Sequence, residues 1–373
     1  MKNVLITGGA GFIGFNLTKR LIDCGYSVTI LDNLSKKIHH SNNRYDKLKE
    51  ITHFIIGDVC SRADWEKAIS NQDVIIHLAA ETGTGQSMYD IHNYTNINVG
   101  GTALMLDVLT NSKNSIKKII LSSSRAVYGE GMYKCKEQGV VFPSFRNEEH
   151  LKDAKYDFIS EYSKSKLIPL PTQENSHILP TSIYALTKYN QEQILLLAAK
   201  NLNIDVAILR YQNVFGPGQS LSNPYTGILS IFSTRILNGN DIEIYEDGMQ
   251  TRDFVYIEDV VNATVLALKK SNLKSQVYNV GSGKPITVLK VAQKLKELYN
   301  TKTNITISNK YRKGDIRHNF ADLSLIKQEL GFVNAFSFDR GLLNFVKWVQ
   351  KQDIQDDMYD SSVQEMIQKG IMK

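Results

Sequence analysis

The sequence predicts a doubly wound α/β fold, a parallel sheet with helices on both faces, and three observations predict it. Val4-Leu5-Ile6 reads as a buried strand and runs straight into the glycine turn Thr7-Gly8-Gly9-Ala10-Gly11-Phe12-Ile13-Gly14, which opens a helix to about Cys24. Short apolar strands then alternate with helical stretches as far as Arg210, as a parallel sheet requires. Beyond Tyr211 the pattern becomes irregular and rich in connections, which marks a smaller, discontinuous α/β lobe. Together these features describe a Rossmann-type domain carrying a second lobe.

Glycines in the first turn let the backbone approach a pyrophosphate, whose charge is met by free amides and the positive end of the helix. Gly8, Gly11, Phe12, Ile13 and Gly14 are therefore candidate cofactor contacts. The second strand, Val28-Thr29-Ile30-Leu31, ends in Asp32-Asn33. An acid there accepts hydrogen bonds from the adenosine ribose and repels a 2′-phosphate, which favours NAD over NADP, with Lys36 and Lys37 close behind as a counterweight. Strand His53-Phe54-Ile55-Ile56 leads to Gly57-Asp58-Val59, and strand Val74-Ile75-Ile76-His77-Leu78 leads to Ala79-Ala80. Asp58, Val59, Leu78, Ala79 and Ala80 thus stand at strand ends, where such sheets bind ligands. A long helix is expected from about Asn96 to Leu109, then strand Lys118-Ile119-Ile120-Leu121, ending in Ser122-Ser123-Ser124.

The stretch Thr181-Ser182-Ile183-Tyr184-Ala185-Leu186-Thr187-Lys188 sets a phenol and an ammonium four residues apart, on one face of a helix. A tyrosine with its ordinary pKa of about 10 is a poor base; a nearby cation favours the phenolate, and a shift to about 7 corresponds to roughly 4 kcal/mol. Tyr45/Lys49 and Tyr162/Lys166 share the spacing, but only Tyr184 follows a helix start and leads into an apolar run and a strand. Ser124, at its strand end, is placed to share a substrate proton with Tyr184.

The chain divides into a cofactor domain, 1–212 plus about 254–271, interrupted by a polar insertion at about 130–179 that reads as a lid or interface. A second lobe takes 213–253 plus 272–353, and 354–373 is a terminal helix or frayed tail. Over 373 residues with 42% hydrophobic content, the net charge of +6 comes from basic residues interleaved with acidic ones, so it argues for a solvated surface and against a nucleic-acid partner. Cys24, Cys60 and Cys135 have no paired spacing, and with His150 and His177 they match no metal site, which predicts a reducing compartment, no disulfide and no metal. No signal peptide is visible and no apolar run approaches the roughly 20 residues of a membrane span, so a cytoplasmic location away from membranes is expected.

Taken together, Gly8-x-x-Gly11-x-x-Gly14, Asp58, Ser124, Tyr184-x-x-x-Lys188 and Asn213 resemble the extended short-chain dehydrogenase/reductase family, in its nucleotide-sugar epimerase and dehydratase branch. The resemblance covers nearly the whole chain. It implies that Tyr184 is the base, that Lys188 holds the nicotinamide ribose and lowers the tyrosine pKa, and that Ser124 orients the sugar hydroxyl. It implies cofactor roles for Asn98, Ser122 and Tyr211 as well, and assigns Asn213, Arg252, Arg312 and Asp315 to the nucleotide diphosphate, with Arg125 also on the substrate side.

Family dehydratases carry an Asp-Glu pair directly after the catalytic hydroxyl residue; here Arg125 and Ala126 stand there, which disfavours dehydration. What remains is reversible hydride exchange with NAD that inverts one carbon, most often C4. Two stretches, Ser122 to Gly131 and Leu209 to Gly227, are similar to the dTDP-L-rhamnose 4-epimerase subgroup, which makes dTDP-6-deoxy-L-talose for surface polysaccharides. A UDP- or GDP-sugar 4-epimerase, an NAD(P)-dependent reductase and a cofactor-sensing regulator are the alternatives. Relatives often pair as homodimers through helices that include the one bearing the tyrosine.

Overall fold

The structure is a computed structural model that describes residues 2–35, 43–225, 227–273 and 275–373; Lys36 and Lys37 lie outside the described residues. β1 (Asn3–Thr7), α1 (Phe12–Asp23), β2 (Ser27–Asp32), α2 (Asn43–Lys49), β3 (His53–Ile56), α3 (Arg62–Ala68) and β4 (Val74–His77) alternate as expected. The chain is then helical through Ile91–Tyr94, a π-helical stretch Thr95–Gly100 and α4 (Gly101–Asn111), before β5 (Lys118–Ser124). The helix expected from Asn96 thus starts earlier and is widened where Asn98 sits, a distortion that propensity does not announce.

β6 (Tyr133–Cys135), β7 (Gly139–Val141) and β8 (Ile168–Pro169) form a small antiparallel sheet in the insertion. α5 (Ile183–Leu202), capped by Ser182, carries Tyr184 and leads to β9 (Asp205–Tyr211). There follow β10 (Asn213–Phe215), α6 (Ile228–Leu237), β11 (Ile242–Ile244), β12 (Thr251–Tyr256), α7 (Ile257–Lys269), β13 (Gln276–Val280), β14 (Pro285–Thr287), α8 (Val288–Tyr299), β15 (Ile305–Ile307) and β16 (His318–Asn319). Helices α9 (Ser324–Leu330), α10 (Phe338–Val349) and α11 (Tyr359–Gln368) end the chain, so the terminal segment is a helix; no helix among the described residues is long and apolar enough to cross a membrane.

Seven parallel strands make the main sheet in the order β13-β9-β5-β4-β1-β2-β3. The order reverses between β1 and β4, and ligands bind such sheets where it does. β13 corrects one boundary: its residues fall in the stretch assigned to the second lobe, yet Gln276–Val280 pairs with Ala207–Tyr211 of β9 and extends the cofactor sheet. Strand pairing is a long-range choice that local pattern does not reveal.

The strands alternate between two cores, as a period of two dictates. Val4, Ile6, Val74, Ile76 and Ile120 pack with Leu17 and Leu21 of α1, while Leu5, Ile75, Ile119 and Leu121 pack with Trp65, Met105, Leu195 and Ala199 of α3, α4 and α5. α5 is therefore clamped to the sheet by its apolar half. It is also fixed by charge: the buried Glu192 carboxylate accepts from Arg210 Nε at 2.9 Å and Nη2 at 2.6 Å, and from the Ser123 hydroxyl at 2.5 Å. Removing one partner of such a pair strands the other charge in the interior. Glu192→Ala is expected to destabilise the fold by about 3–5 kcal/mol in equilibrium denaturation; a loss below about 1 kcal/mol would show that the pair does not anchor α5.

Candidate active site

The glycine turn is shaped by contact. Gly8 has φ +69° and a Cβ on it would lie 2.8 Å from the Ala79 amide nitrogen; a Cβ on Gly14 would lie 2.5 Å from the Gly8 carbonyl oxygen. Neither position admits a side chain. α1 starts at Gly11 with no side-chain cap and no acid in its first turn, so its leading amides and positive end are left for an anion. At the end of β2, the Asp32 carboxylate accepts from the amides of Ala10 at 3.0 Å and Leu34 at 2.9 Å. A side-chain-free turn, uncapped amides and an acid one strand over fit the pyrophosphate and ribose of a dinucleotide.

Behind the turn runs a buried polar chain. The Thr102 hydroxyl donates to the Asn98 carbonyl at 2.7 Å, so it accepts both from Gln191 Nε2 at 2.6 Å and from His77 Nε2 at 3.0 Å. His77 therefore carries its proton on Nε2, and its Nδ1 accepts from the Thr7 hydroxyl at 2.7 Å. Burial, helped by the Lys188 charge, pushes the His77 pKa down to about 3 and keeps the ring neutral. The Asn98 amide donates to Thr187 Oγ1 at 3.0 Å and grips both the amide and carbonyl of Glu81, while the Thr187 hydroxyl donates to the Tyr184 carbonyl at 2.8 Å. Helix α5 is thus tied to β1, β4 and the π turn directly beside its two reactive residues.

A cleft of about 560 Å³ runs from the glycine turn to the second lobe. Ser124, Tyr184 and Lys188 line it together, and so does every other cofactor or substrate residue singled out from the sequence except two. Asn98 is fully buried and acts through Glu81 and Thr187. Asp58 is spent on the Asn33 amide at 2.9 Å and the Cys60 amide at 2.8 Å. Each supports a neighbour that lines the cleft, Asn98 holding Glu81 and Asp58 holding Asn33. Tyr211 lines the cleft, but its hydroxyl is turned away to Thr264, 2.8 Å distant. Of the rival pairs, Tyr162 is exposed in a turn of the insertion and Lys49 pairs with Asp46 at the surface.

The charges differ from the simple expectation for Tyr184 and Lys188. Burial raises Tyr184 above its ordinary value, opposed by a hydrogen bond from Ser124 and by the charge of Arg125. Burial also pushes Lys188 down to about 7, so its ammonium is only partly charged near neutrality. Arg125, lowered by burial to about 9, remains a cation. The Ser124 oxygen accepts from the Ala126 amide at 3.2 Å, which leaves its proton for the phenol oxygen.

In the second lobe, Arg312 and Asp315 form a fork at 2.9 Å, and Arg252 is held by the carbonyls of Thr251 at 2.8 Å and Ile316 at 2.8 Å. Arg146, from the insertion, donates to the Asp315 carbonyl at 2.8 Å and to Glu246 at 2.7 Å, so the insertion braces this loop. Sequence reasoning missed Arg146, the Thr7–His77–Thr102 chain, and Tyr245, Tyr359 and Met366 at the far end of the cleft. Gln191 carried a usable signal, being polar at position i+7 from Tyr184 on the inward face of α5.

Residues 4–281 match the sequence profile of a family described as the NAD dependent epimerase/dehydratase family. The chain is 36% identical to dTDP-L-rhamnose 4-epimerase of Burkholderia thailandensis, over 94% of this chain and 96% of that one. Among solved structures it is similar to UDP-glucose 4-epimerase of Thermotoga maritima with UDP-glucose, at 29% identity and TM-score 0.75 over 94% of this chain and 99% of that one. It is also similar to UDP-glucuronic acid 4-epimerase of Bacillus cereus in complex with UDP-glucuronic acid and NAD, at 25% identity and TM-score 0.77 over the same 94% and 99%.

The neutral His77 makes the fold acid-sensitive in a defined window. Between pH 6.5, the ordinary value, and about 3, the unfolded chain binds a proton at this ring that the native fold does not, so stability falls as pH falls. The cost approaches about 1.4 kcal/mol per pH unit. His77→Gln is expected to flatten the urea-denaturation stability profile across that window; identical slopes in the two proteins would refute a buried neutral ring.

Proposed function

The chain belongs to the NAD dependent epimerase/dehydratase family, and from that premise we propose that it inverts C4 of dTDP-L-rhamnose, giving dTDP-6-deoxy-L-talose. Its reaction class is isomerisation and its cofactor is NAD. The observation that carries the reading is that Ser124, Tyr184 and Lys188 meet in one cleft, with Ser124 followed in sequence by Arg125 and Ala126, where no acid pair for dehydration stands. The Burkholderia thailandensis relative, alike over nearly the full length of both chains, supports dTDP-L-rhamnose. A UDP-sugar is the second reading, favoured by the likeness to the Thermotoga maritima enzyme.

In this reading Gly8, Gly11 and Gly14 hold the pyrophosphate of NAD, Asp32 its adenosine ribose and Lys188 its nicotinamide ribose. Bound there, NAD supplies a hydride acceptor in one half-reaction and a hydride donor in the other. Tyr184 takes the proton from the C4 hydroxyl as the carbon is oxidised and returns one after the keto-sugar has turned its other face. Ser124 steadies the same oxygen through its hydroxyl. Because burial opposes the phenolate, a fixed charge has to favour it, and Arg125 supplies that charge together with whatever proton Lys188 retains. Asn213, Arg252 and Arg312 hold the diphosphate, so the sugar can turn while its handle stays in place. The reading also includes a cytoplasmic homodimer paired through α5, whose Leu186 and Leu197 are exposed, and a product destined for surface polysaccharide.

Proton NMR of the purified enzyme with dTDP-L-rhamnose in deuterated water is expected to show the C4 epimer with no deuterium on any sugar carbon. Deuterium at C3 or C5 would sink the mechanism, and turnover of UDP-sugars alone would replace the substrate by the second reading. Tyr184→Phe should lower kcat by about 10²–10⁴-fold with NAD still bound. Arg125→Met should move the rising limb of the kcat–pH profile to higher pH, because loss of the cation raises the tyrosine pKa; an unmoved limb would remove Arg125 from that role.

A further inference from the structure

The end of the cleft beyond Arg312 is closed by the C-terminal segment. Tyr359, Ser362 and Met366 of α11 line the same cavity as Tyr184, and they are only 7%, 3% and 3% exposed. The Tyr359 hydroxyl lies 3.0 Å from a Glu243 carboxylate oxygen and 2.7 Å from the Tyr245 hydroxyl. Since a carboxylate only accepts, Tyr359 donates to Glu243 and receives from Tyr245. The two phenol rings stack at 6.5 Å with 23° between their planes, and the Arg235 guanidinium sits 4.3 Å from the centre of the Tyr359 ring. Arg235 is itself fixed to α11 and its approach by Asp357 at 3.2 Å and Asp360 at 3.1 Å.

After α11 the chain pairs with the segment that bears Arg312. The Tyr311 amide donates to the Lys373 carbonyl at 2.9 Å, the Lys373 amide returns to Tyr311 at 3.1 Å, and the Lys313 amide donates to the Ile371 carbonyl at 2.9 Å. One short segment therefore supplies an aromatic wall to the cleft and backbone support to its arginine.

We propose that α11 is part of the substrate site: Tyr359, backed by Tyr245 and Glu243, seats the nucleobase, and the chain end after it holds Arg312 on the diphosphate. The inference rests on the reading of the substrate as a nucleotide sugar. Paired aromatic rings offer a stacking surface to a base, and a carboxylate beside them accepts from an N–H donor on the base edge, such as the ring N–H of thymine.

The test is calorimetric titration of the NAD-loaded enzyme with dTDP, which carries no sugar. Tyr359→Ala is expected to weaken dTDP binding about tenfold or more and to raise KM for the nucleotide sugar with kcat largely kept. Tyr359→Phe, which keeps the ring, is expected to lose only a few-fold. NAD content, read from absorbance after denaturation, stays unchanged in both variants. An unchanged dTDP affinity in Tyr359→Ala, or loss of dTDP and NAD together, overturns the inference. Binding of dTDP does not require turnover, so a protein that binds it through Tyr359 yet epimerises no sugar refutes the C4 reading alone.

Discussion

The hydroxyl of Thr102 is the point on which the geometry of the reactive residues depends. It donates to the π turn and accepts from His77 on β4 and Gln191 on α5. Through His77 it also reaches Thr7, at the end of the strand that starts the glycine turn. Each partner is buried and each polar group has few alternatives, so the chain is costly to leave half made. The helix bearing Tyr184 and the turn that shapes the cofactor end are consequently held in one frame. Sheet packing alone fixes α5 along its apolar half; the polar chain fixes its start, where Tyr184 and Lys188 lie.

That same burial sets the electrostatic problem of the site. Excluding water makes a phenolate expensive and an ammonium expensive too, so Tyr184 is raised and Lys188 is lowered. Burial thus works against the charged form of both members of the pair. Arg125 answers the difficulty because a guanidinium starts from a much higher proton affinity and remains charged after the same burial penalty. Its place directly after Ser124 brings that charge close enough to Tyr184 to favour the phenolate.

The cofactor half of the molecule was largely legible in the sequence because its signals are local. Gly8 and Gly14 cannot carry a side chain, Asp32 ends its strand, and Tyr184 and Lys188 share one helix face, each within a few residues of its element boundary. The partners of Asn98 and Asp58 were not legible, because position near a site does not say which way a side chain turns. β13 was misassigned because its partner, β9, lies more than sixty residues earlier in the chain.

The substrate half was less legible for a different physical reason: its central loop is held by segments from three parts of the chain. Arg146 of the insertion binds the Asp315 carbonyl, and Glu130, just after the Ser124 turn, accepts from the Arg317 amide at 2.8 Å. Arg252 of β12 binds the Ile316 carbonyl, and the residues after α11 pair with Tyr311 and Lys313. Burial pushes Glu130 up to about 7, so even this acid depends on Arg146 and the neighbouring amides to stay ionised. No one of these contacts leaves a periodic or motif signature, since each partner is an ordinary charged or backbone group when read alone. A cofactor common to a family can be gripped by one compact turn and one helix. In the proposed reading a substrate is held by its diphosphate while its sugar turns, which needs a rigid loop; this chain joins that loop to the insertion and to the segment after α11, two stretches that looked little structured in the sequence.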